Sequence, residues 1–385
     1  MSIVRVVFAI GAATCVSLLP AWTGTGSGRA SSEQAGEISS ASPLASDRRL
    51  YFPPVEEPWA TVDPAEAGWD AEPLDAALRL AGERDSTGVV ILYRGRILAE
   101  RHWTLDSPSR GHVNGSHGRS AAGHAVEDVA SVQKSVVAVL VGLAQERGLL
   151  TLDDAVSAHA GRWTQATEEQ ERAVTIRHLM AMTTGLSPGL EHDAAPGSKW
   201  LYNTPAYHHL LRIVAAAAGL DRNEVTREWL TGRVGMRDSS WEPRPWATSA
   251  IATGFATTAR DLARFGLLIL AGGTWDDETV IEDTEYLAAM LRPSQALNPA
   301  YGLLWWTNGQ ASSMSWAIPP VTTAGTLIPA APDDLVAAQG ARDRKLYVVP
   351  SLDLVVSRLG DNGSVDGSSF NDAFWERLMD AAPSQ

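Results

Sequence analysis

The chain has 385 residues, of which 45% are hydrophobic and 20% charged, so it is long enough to bury a large core in one or two domains. Its formal net charge of −14 argues against a nucleic-acid partner. The single cysteine, Cys15, lies in an N-terminal apolar stretch. A chain without that stretch has no thiol for disulfides, cysteine catalysis or zinc–thiolate sites.

Residues 1–30 have the pattern of a secretory signal peptide. Arg5 precedes an apolar run from Val6 to Trp22, which is short for a membrane span. We therefore expect an exported protein, periplasmic or extracellular, with no stable membrane insertion after signal removal. An uncleaved N-terminal anchor is the alternative. Residues 31–48 are rich in Ser, Ala and Gly and predict a flexible linker, which leaves 49–385 for the folded domain.

The first folded segments predict a helix and a hairpin. Apolar residues recur with helical spacing over 73–84, and two apolar strands within 88–103 flank Arg94-Gly95-Arg96. A polar stretch at 107–124 follows. It carries three histidines, His112, His117 and His124. Their spacing fits no helical pair of metal ligands, so a solvated loop is favoured over a metal site.

The strongest chemical signal lies between His124 and Leu150. Ser131 opens a long apolar run with helical character, and Lys134 follows one turn later on the same face. A serine hydroxyl needs a base within hydrogen-bond reach, and a buried lysine with a lowered pKa can serve. An N-cap serine with an exposed lysine is the simpler interpretation of this common pattern. The apolar residues on nearly every face after Lys134 favour a buried helix instead.

The middle of the chain is predicted to be mostly helical. Helical patterns cover 174–186, 200–220 and 257–273, and a closing helix covers 370–382. Late strands are expected at roughly 300–360, interrupted by a Pro-rich loop at 312–334. Early and late strands around a helical insert at roughly 130–250 predict an α+β fold, an α/β sandwich with an antiparallel sheet. A cleft between the two parts would hold Ser131, Tyr202 and the last strands.

Several segments, in this order, resemble the serine β-lactamase and penicillin-binding-protein superfamily. The resemblance is greatest to the class C-like branch that includes esterases and 6-aminohexanoate-oligomer hydrolases. The segments are SVQKSVVAVLVGLAQERGLLTLDDAVS, VTIRHLMAMTTGL, WLYNTPAY, GFATTARDLARFGLLILAGG, YGLLWWTN and LYVVPSLDLVVSRLGD. The resemblance spans roughly Asp63 to Arg377. It implies a β-lactamase-like fold, with an antiparallel sheet flanked by helices and a mostly helical insert subdomain.

The resemblance also implies catalytic roles. Ser131 matches the acylated nucleophile, Lys134 the lysine of the first motif and Tyr202 the tyrosine of the second. The tyrosine is followed by Asn203 and Thr204, so the amide or serine usual at the third position has no counterpart there. Both residues are expected to bind substrate.

The third motif falls on Ala338-Gln339-Gly340, three further candidates for substrate binding. The backbone N–H groups of Ser131 and Ala341 would form the oxyanion hole. Ala338 replaces the lysine or histidine that helps bind a substrate carboxylate, which argues against efficient penicillin or cephalosporin turnover. Arg342 lies nearby and is a possible substitute.

The predicted function is therefore an exported serine hydrolase that cleaves esters, amides or peptide-like small molecules through an acyl-enzyme. Lys134 and Tyr202 would share the general acid and base roles, and either of them could be the base that activates Ser131. A true β-lactamase or D-amino-acid peptidase is the alternative, and a catalytically weak binding protein on the same scaffold is a further one. No metal or cofactor is implied, and the oligomeric state is left open. Three tryptophans either line the pocket or pack in the core: Trp305, Trp306 and Trp316.

Overall fold

The computed structural model of the chain describes residues 49–55, 58–247, 251–365 and 368–383. The predicted signal peptide and linker lie outside these ranges, so both stay predictions. Among the described residues, no helix is both long enough and apolar enough to cross a membrane.

The secondary structure alternates short strands with helices. The helices are α1 (Ala71–Glu83), α2 (Arg110–Asn114), α3 (Gln133–Glu146), α4 (Val156–Ala160), α5 (Glu168–Arg172), α6 (Ile176–Met180), α7 (Thr204–Tyr207), α8 (His209–Ala218), α9 (Arg222–Thr226), α10 (Ala259–Leu270), α11 (Thr284–Met290) and α12 (Phe370–Asp380). The strands are β1 (Ser86–Tyr93), β2 (Arg96–His102), β3 (Ser116–Arg119), β4 (Ala125–Asp128), β5 (Ser240–Pro243), β6 (Thr253–Thr257), β7 (Thr274–Trp275), β8 (Glu278–Thr279), β9 (Trp306–Thr307), β10 (Ser312–Met314), β11 (Thr322–Ala324), β12 (Val336–Gly340), β13 (Arg344–Val349) and β14 (Leu354–Gly360).

The largest sheet in the described part of the chain has six antiparallel strands in the order β2-β1-β14-β13-β12-β9. Two successive residues of β13 show which helices cover this sheet, because their side chains point to opposite faces of it. Leu346 faces α10, where a Cβ on Gly266 would lie 2.7 Å from its Cδ1. Tyr347 faces α12, and its ring meets Trp375 at 5.3 Å between centroids. Helices therefore cover both faces, and the predicted α+β sandwich is confirmed.

The hairpin between β1 and β2 forms where the sequence predicts it. Arg94 and Gly95 have φ angles of 50° and 81°, the left-handed conformation of a two-residue hairpin turn. A Cβ on Gly95 would lie 1.7 Å from the Tyr51 carbonyl oxygen, so glycine is required there by space as well as by φ.

Helix α3 is buried on every face, as its apolar composition predicts. Each residue from Gln133 to Ala144 is buried, including the three polar residues at its start. The interpretation of Lys134 as an exposed surface lysine is therefore wrong, because its side chain is 2% exposed.

The structure also contains a second sheet that the sequence analysis did not predict. It has the order β3-β4-β6-β5, and its strands are too short for alternation to be recognised. Strand β5 lies inside the expected helical insert, and α2 and β3 replace part of the loop expected at 107–124. Helix α6 ends at Met180 rather than near Gly185, since Met182 adopts a left-handed φ of 59°. The Pro-rich segment at 312–334 contains the hairpin β10–β11.

Candidate active site

Ser131 lies in a 3-10 turn, Ala130–Val132, that leads directly into α3. The Nζ atom of Lys134 is 3.0 Å from Ser131 Oγ, within hydrogen-bond distance. Burial of the lysine, aided by the charge of Arg244, lowers the pKa of Lys134 to about 7. Near neutral pH a substantial fraction of the amine is therefore uncharged and able to accept a proton from the serine.

A buried ion pair holds the turn that carries the serine. Ala130 adopts a left-handed φ of 51°, which costs an alanine free energy, and its N–H donates to Asp128 Oδ1 at 2.8 Å. Arg244 Nη2 donates to the same oxygen at 2.7 Å and to Gln133 Oε1 at 3.2 Å. Gln133 Oε1 also accepts from the N–H of Phe255 at 3.1 Å. The second sheet is thereby linked to both ends of the turn.

Aromatic rings enclose the lysine. Lys134 Nζ lies 4.7 Å from the ring centroids of both Tyr202 and Tyr207. Burial raises the pKa of Tyr202, and a hydrogen bond with Ser131 opposes this only in part. The phenol thus remains protonated at neutral pH. Trp306 packs on the Tyr202 ring at 6.1 Å between centroids and 23° between planes, which fixes its orientation.

The side-chain amide of Asn203 is held by backbone groups on both sides. Its side-chain oxygen accepts from the N–H of Ala206 at 3.1 Å and caps α7. Its side-chain nitrogen donates to the carbonyl oxygens of Leu186 and Ser187, both at 3.0 Å. Its oxygen and nitrogen thus both have backbone partners, which fix the chain beside Tyr202, and the residue also lines the cavity, so its role in substrate binding stays a prediction. Thr204, the next residue, lines the cavity described below.

The predicted third motif approaches the serine through its glycine. A Cβ on Gly340 would lie 2.4 Å from the Val129 carbonyl oxygen and 3.3 Å from the Ser131 nitrogen. The glycine thus allows two parts of the chain to approach closely beside the serine. Ala338 does not line the cavity as expected. It is 1% exposed and pairs with Leu346, whose side chain faces the core.

Lys345 is the cavity residue that the sequence analysis missed. It pairs with Gln339 across β12 and β13, and its Nζ lies 3.0 Å from Gln339 Oε1 and 3.4 Å from Asp343 Oδ1. Arg342 also reaches the cavity, with its Nε 3.7 Å from Asp361 Oδ1. Strand β13 thus places a lysine side chain at the cavity, whereas position 338 on β12 places none there.

A cavity of about 820 Å³ joins these groups. Ser131, Tyr202 and the strand β12 residues Gln339 and Gly340 line it, as the sequence predicts for the cleft, and so does Ala341. Trp306 and Trp316 also face it, whereas Trp305 is fully buried in the core. Its remaining walls consist of Pro188, Thr204, Pro205, Ser313, Met314, Ser315, Ile318, Thr323, Thr326, Leu327, Arg342, Asp343, Lys345, Asn362 and Ser364, with the buried Asn203 at its edge.

The histidines of 107–124 do not converge on one point. His124 instead lies beside Glu100 and His102, the one group of possible metal ligands among the described residues. The rings of His102 and His124 stack in parallel at 4.0 Å, so their nitrogen lone pairs do not point at a common ion. Arg260 already pairs with both oxygens of Glu100, at 2.7 and 2.9 Å. We assign no metal to this group.

The sandwich of helices around an antiparallel sheet, with the cleft above a buried helix, defines the class of structure as a beta-lactamase-like fold. The chain belongs to the beta-lactamase family of hydrolases, since the model of that family matches residues 72–359.

Individual relatives are distant in sequence. A putative beta-lactamase of Bacteroides dorei superposes with a TM-score of 0.60 at 16% identity, over 81% of this chain and 97% of its own. A putative 6-aminohexanoate-dimer hydrolase of Bacillus anthracis gives a TM-score of 0.62 at 14% identity, over 86% and 88%. An uncharacterized protein of Alkalihalophilus pseudofirmus is 22% identical over 310 residues, 73% of this chain and 86% of that protein. The structural likenesses show the shared fold.

Proposed function

We propose that the protein is a serine hydrolase that cleaves ester or amide bonds through an acyl-enzyme on Ser131. The observation that carries the proposal is the 3.0 Å contact between Ser131 Oγ and a buried Lys134 whose pKa is lowered to about 7, at a cavity large enough for a small-molecule substrate. A nucleophile, a base with a pKa near the working pH and a space for substrate thus meet at one point.

The proton moves in a defined order. Lys134 accepts the proton of Ser131 while Oγ attacks the substrate carbonyl carbon. Tyr202, whose phenol stays protonated, donates to the leaving oxygen or nitrogen as its bond to carbon breaks, and recovers a proton from Lys134. Water then attacks the acyl-enzyme with the same groups acting in reverse, releasing the acid and restoring Ser131.

The oxyanion would be bound by the backbone N–H groups of Ser131 and Ala341. The close approach of Gly340 to the Ser131 nitrogen supports this, because it brings the next residue of the chain beside the serine. Two preorganised N–H donors facing a developing negative charge contribute about 3 kcal/mol each to transition-state stabilisation in other hydrolases.

The position of Lys345 supports the alternative function, a β-lactamase or a D-amino-acid peptidase. The absence of a cation at position 338 argued against β-lactams, but Lys345 and Arg342 place positive charge on the same cavity. Carboxylate-bearing amides, including β-lactams and peptides ending in a D-amino acid, therefore belong among the substrates to test, beside short-chain aryl esters and aminohexanoate-type amides.

The experiment that tests the proposal is intact-mass measurement after incubation with a fluorophosphonate. We expect one adduct on the wild type and none on Ser131→Ala. Well-folded wild-type protein that forms no adduct would contradict the hydrolase and favour a binding protein on the same scaffold. Thermal unfolding of both proteins controls for folding.

Export remains part of the proposal and rests on the sequence of residues 1–30 alone. Expression of the full chain with mass analysis of the secreted or periplasmic fraction tests it. A mature protein shortened by about thirty residues would support a cleaved signal, and an unshortened chain in the membrane fraction would support the N-terminal anchor.

A further inference from the structure

One long segment of the chain carries no charge. Residues 293–332 contain no Asp, Glu, Lys, Arg or His, in a chain whose residues are 20% charged. The loop between β10 and β11, residues 315–321, carries the most exposed large apolar side chains among the described residues, and we call it the hairpin tip. Trp316 is 72% exposed, and Ile318 and Val321 are each 60% exposed. Clusters of large exposed apolar residues mark interaction surfaces.

Hydrogen bonds fix the conformation of the hairpin tip. The Ser315 N–H donates to the Val321 carbonyl at 2.9 Å, and the Val321 N–H donates to Ser315 Oγ at 3.0 Å, which closes the loop. At its base, Asn298 is fully buried and binds both backbone groups of Met314, at 3.0 and 3.4 Å. Asn308 anchors the returning chain through Thr326 and Ile328.

The hairpin tip is continuous with the active-site cavity. Trp316 and Ile318 line the same cavity as Ser131, so their apolar surfaces run from solvent to the reacting group. Met314 and Leu327 extend the apolar wall inward. A molecule that binds the hairpin tip thus lies at the entrance to the cavity.

We propose that the hairpin tip docks on the surface of an uncharged or zwitterionic lipid aggregate, from which an acyl chain enters the cavity. Tryptophan and aliphatic side chains are stabilised at the boundary between headgroups and acyl chains, and a tip without ionisable groups enters it without desolvating a charge. The net charge of −14 disfavours anionic surfaces. Docking itself does not require Ser131; only the hydrolysis that follows rests on the proposed function.

The single cysteine of the chain allows a direct test. Cys15→Ser combined with Val321→Cys carries one thiol at the hairpin tip, to which an environment-sensitive nitrobenzoxadiazole dye is attached. Cys15→Ser with Val113→Cys carries the dye on α2, at a position 56% exposed in native protein, and is the matched control. Both are prepared in the full chain with Ser131→Ala, so that binding is measured without turnover.

With phosphatidylcholine vesicles we expect the emission of the dye at position 321 to rise at least twofold and shift to the blue. The dye at position 113 should not respond, vesicles rich in phosphatidylserine should give a smaller response, and Ile318→Glu should abolish the response at 321. The dye reports only its own site, so any binding by residues 1–30 does not imitate this result.

Three results would overturn the inference: no response at 321, equal responses at both positions, or an emission that rises with protein concentration in the absence of vesicles. The last would indicate a second copy of the chain as the occupant. Because these outcomes are read on Ser131→Ala, they leave the hydrolase proposal intact. If the hairpin tip docks on vesicles but the wild type is not labelled by a fluorophosphonate, the hydrolase proposal fails and the docking inference stands.

Discussion

The floor of the cavity and the hairpin tip at its mouth depart from the usual distribution of polar and apolar groups in opposite directions. By the floor we mean Lys134, Arg244 and Asp128, charged residues that are buried near Ser131 rather than lining the cavity. At the tip, Trp316 and Ile318 are exposed. Burying an ion costs several kcal/mol unless partners compensate it, and exposing large apolar groups forgoes about 25 cal/mol per Å². Both departures occur at one cavity, which is why we place function there.

The two regions differ in what holds them. Each buried charge on the floor depends on a partner, so that the Asp128–Arg244 pair, Gln133 and the serine turn form one connected network. The tip is closed by two hydrogen bonds between Ser315 and Val321, one of them to the Ser315 hydroxyl, and its large apolar side chains are exposed. Substitutions on the floor should change both the reactivity and the stability of the protein. Substitutions at the tip should change only what the protein binds.

The largest effect is expected for Lys134→Met. Loss of the base should lower kcat for an aryl ester about 10³-fold, within the range for general base catalysis. The melting temperature should hold or rise, because an apolar side chain of similar length replaces a desolvated amine. Kinetics and calorimetry on one preparation check both. Lys199→Met, which removes an exposed ion pair with Asp193, is the control and should change neither. A parallel fall of activity and stability would contradict a catalytic role.

Gly340→Ala should have the next largest effect. The added Cβ would meet the Val129 carbonyl oxygen at 2.4 Å, so β12 or the serine turn must shift. A displacement of about 1 Å at a reacting group costs roughly 10²-fold in rate. Gly189→Ala adds a Cβ with no atom nearer than 3.6 Å and serves as the control. The rate of fluorophosphonate labelling measures the loss, and wild-type rates in Gly340→Ala would show that the contact does not set the geometry.

The parts of the site that the sequence predicts are those determined by local spacing. Ser131 and Lys134 are one helical turn apart, so their proximity follows from the helix. The apolar stripe of α10 and the Arg94-Gly95 turn were likewise predictable, because helix and hairpin geometry depend on neighbouring residues.

The parts that could not be predicted depend on contacts between distant segments. Arg244 reaches Gln133 across 111 positions of sequence, in a sheet whose strands are too short to show a period. Lys345 and Ala338 required the register of β12 and β13, since a shift of one residue moves every side chain to the other face. The hairpin that carries Trp316 depends on Asn298 and Asn308, which bind segments at its base, and the residue spacing around Trp316 does not show these contacts.

The pH dependence of turnover tests the electrostatics of the floor. Lys134 must be neutral to accept a proton, and its pKa is lowered to about 7, so kcat/KM should rise with pH through about 7. Arg244→Met removes the nearby positive charge and leaves Asp128 unpaired, and both changes raise the lysine pKa. The rising limb should therefore move to higher pH by about one unit or more.

The same substitution also costs stability, because it breaks a buried pair. Asp128→Asn combined with Arg244→Met keeps the site neutral and provides a second, better-folded measurement. Arg101→Met, which removes an exposed charge paired with Asp75, should leave the limb in place. If the rising limb of kcat/KM against pH does not move in either floor variant, Arg244 does not lower the pKa of Lys134.

The smallest effect is expected at Lys345, on the wall between the floor and the tip. Lys345→Met removes a buried cation that faces the cavity, so the ratio of kcat/KM for a carboxylate-bearing amide to that for a neutral aryl ester should fall about tenfold. The ratio is the informative quantity, because loss of the hydrogen bond to Gln339 would affect both substrates alike. Equal losses would make Lys345 a support for β12, and the cavity would then select its substrates by the apolar wall alone.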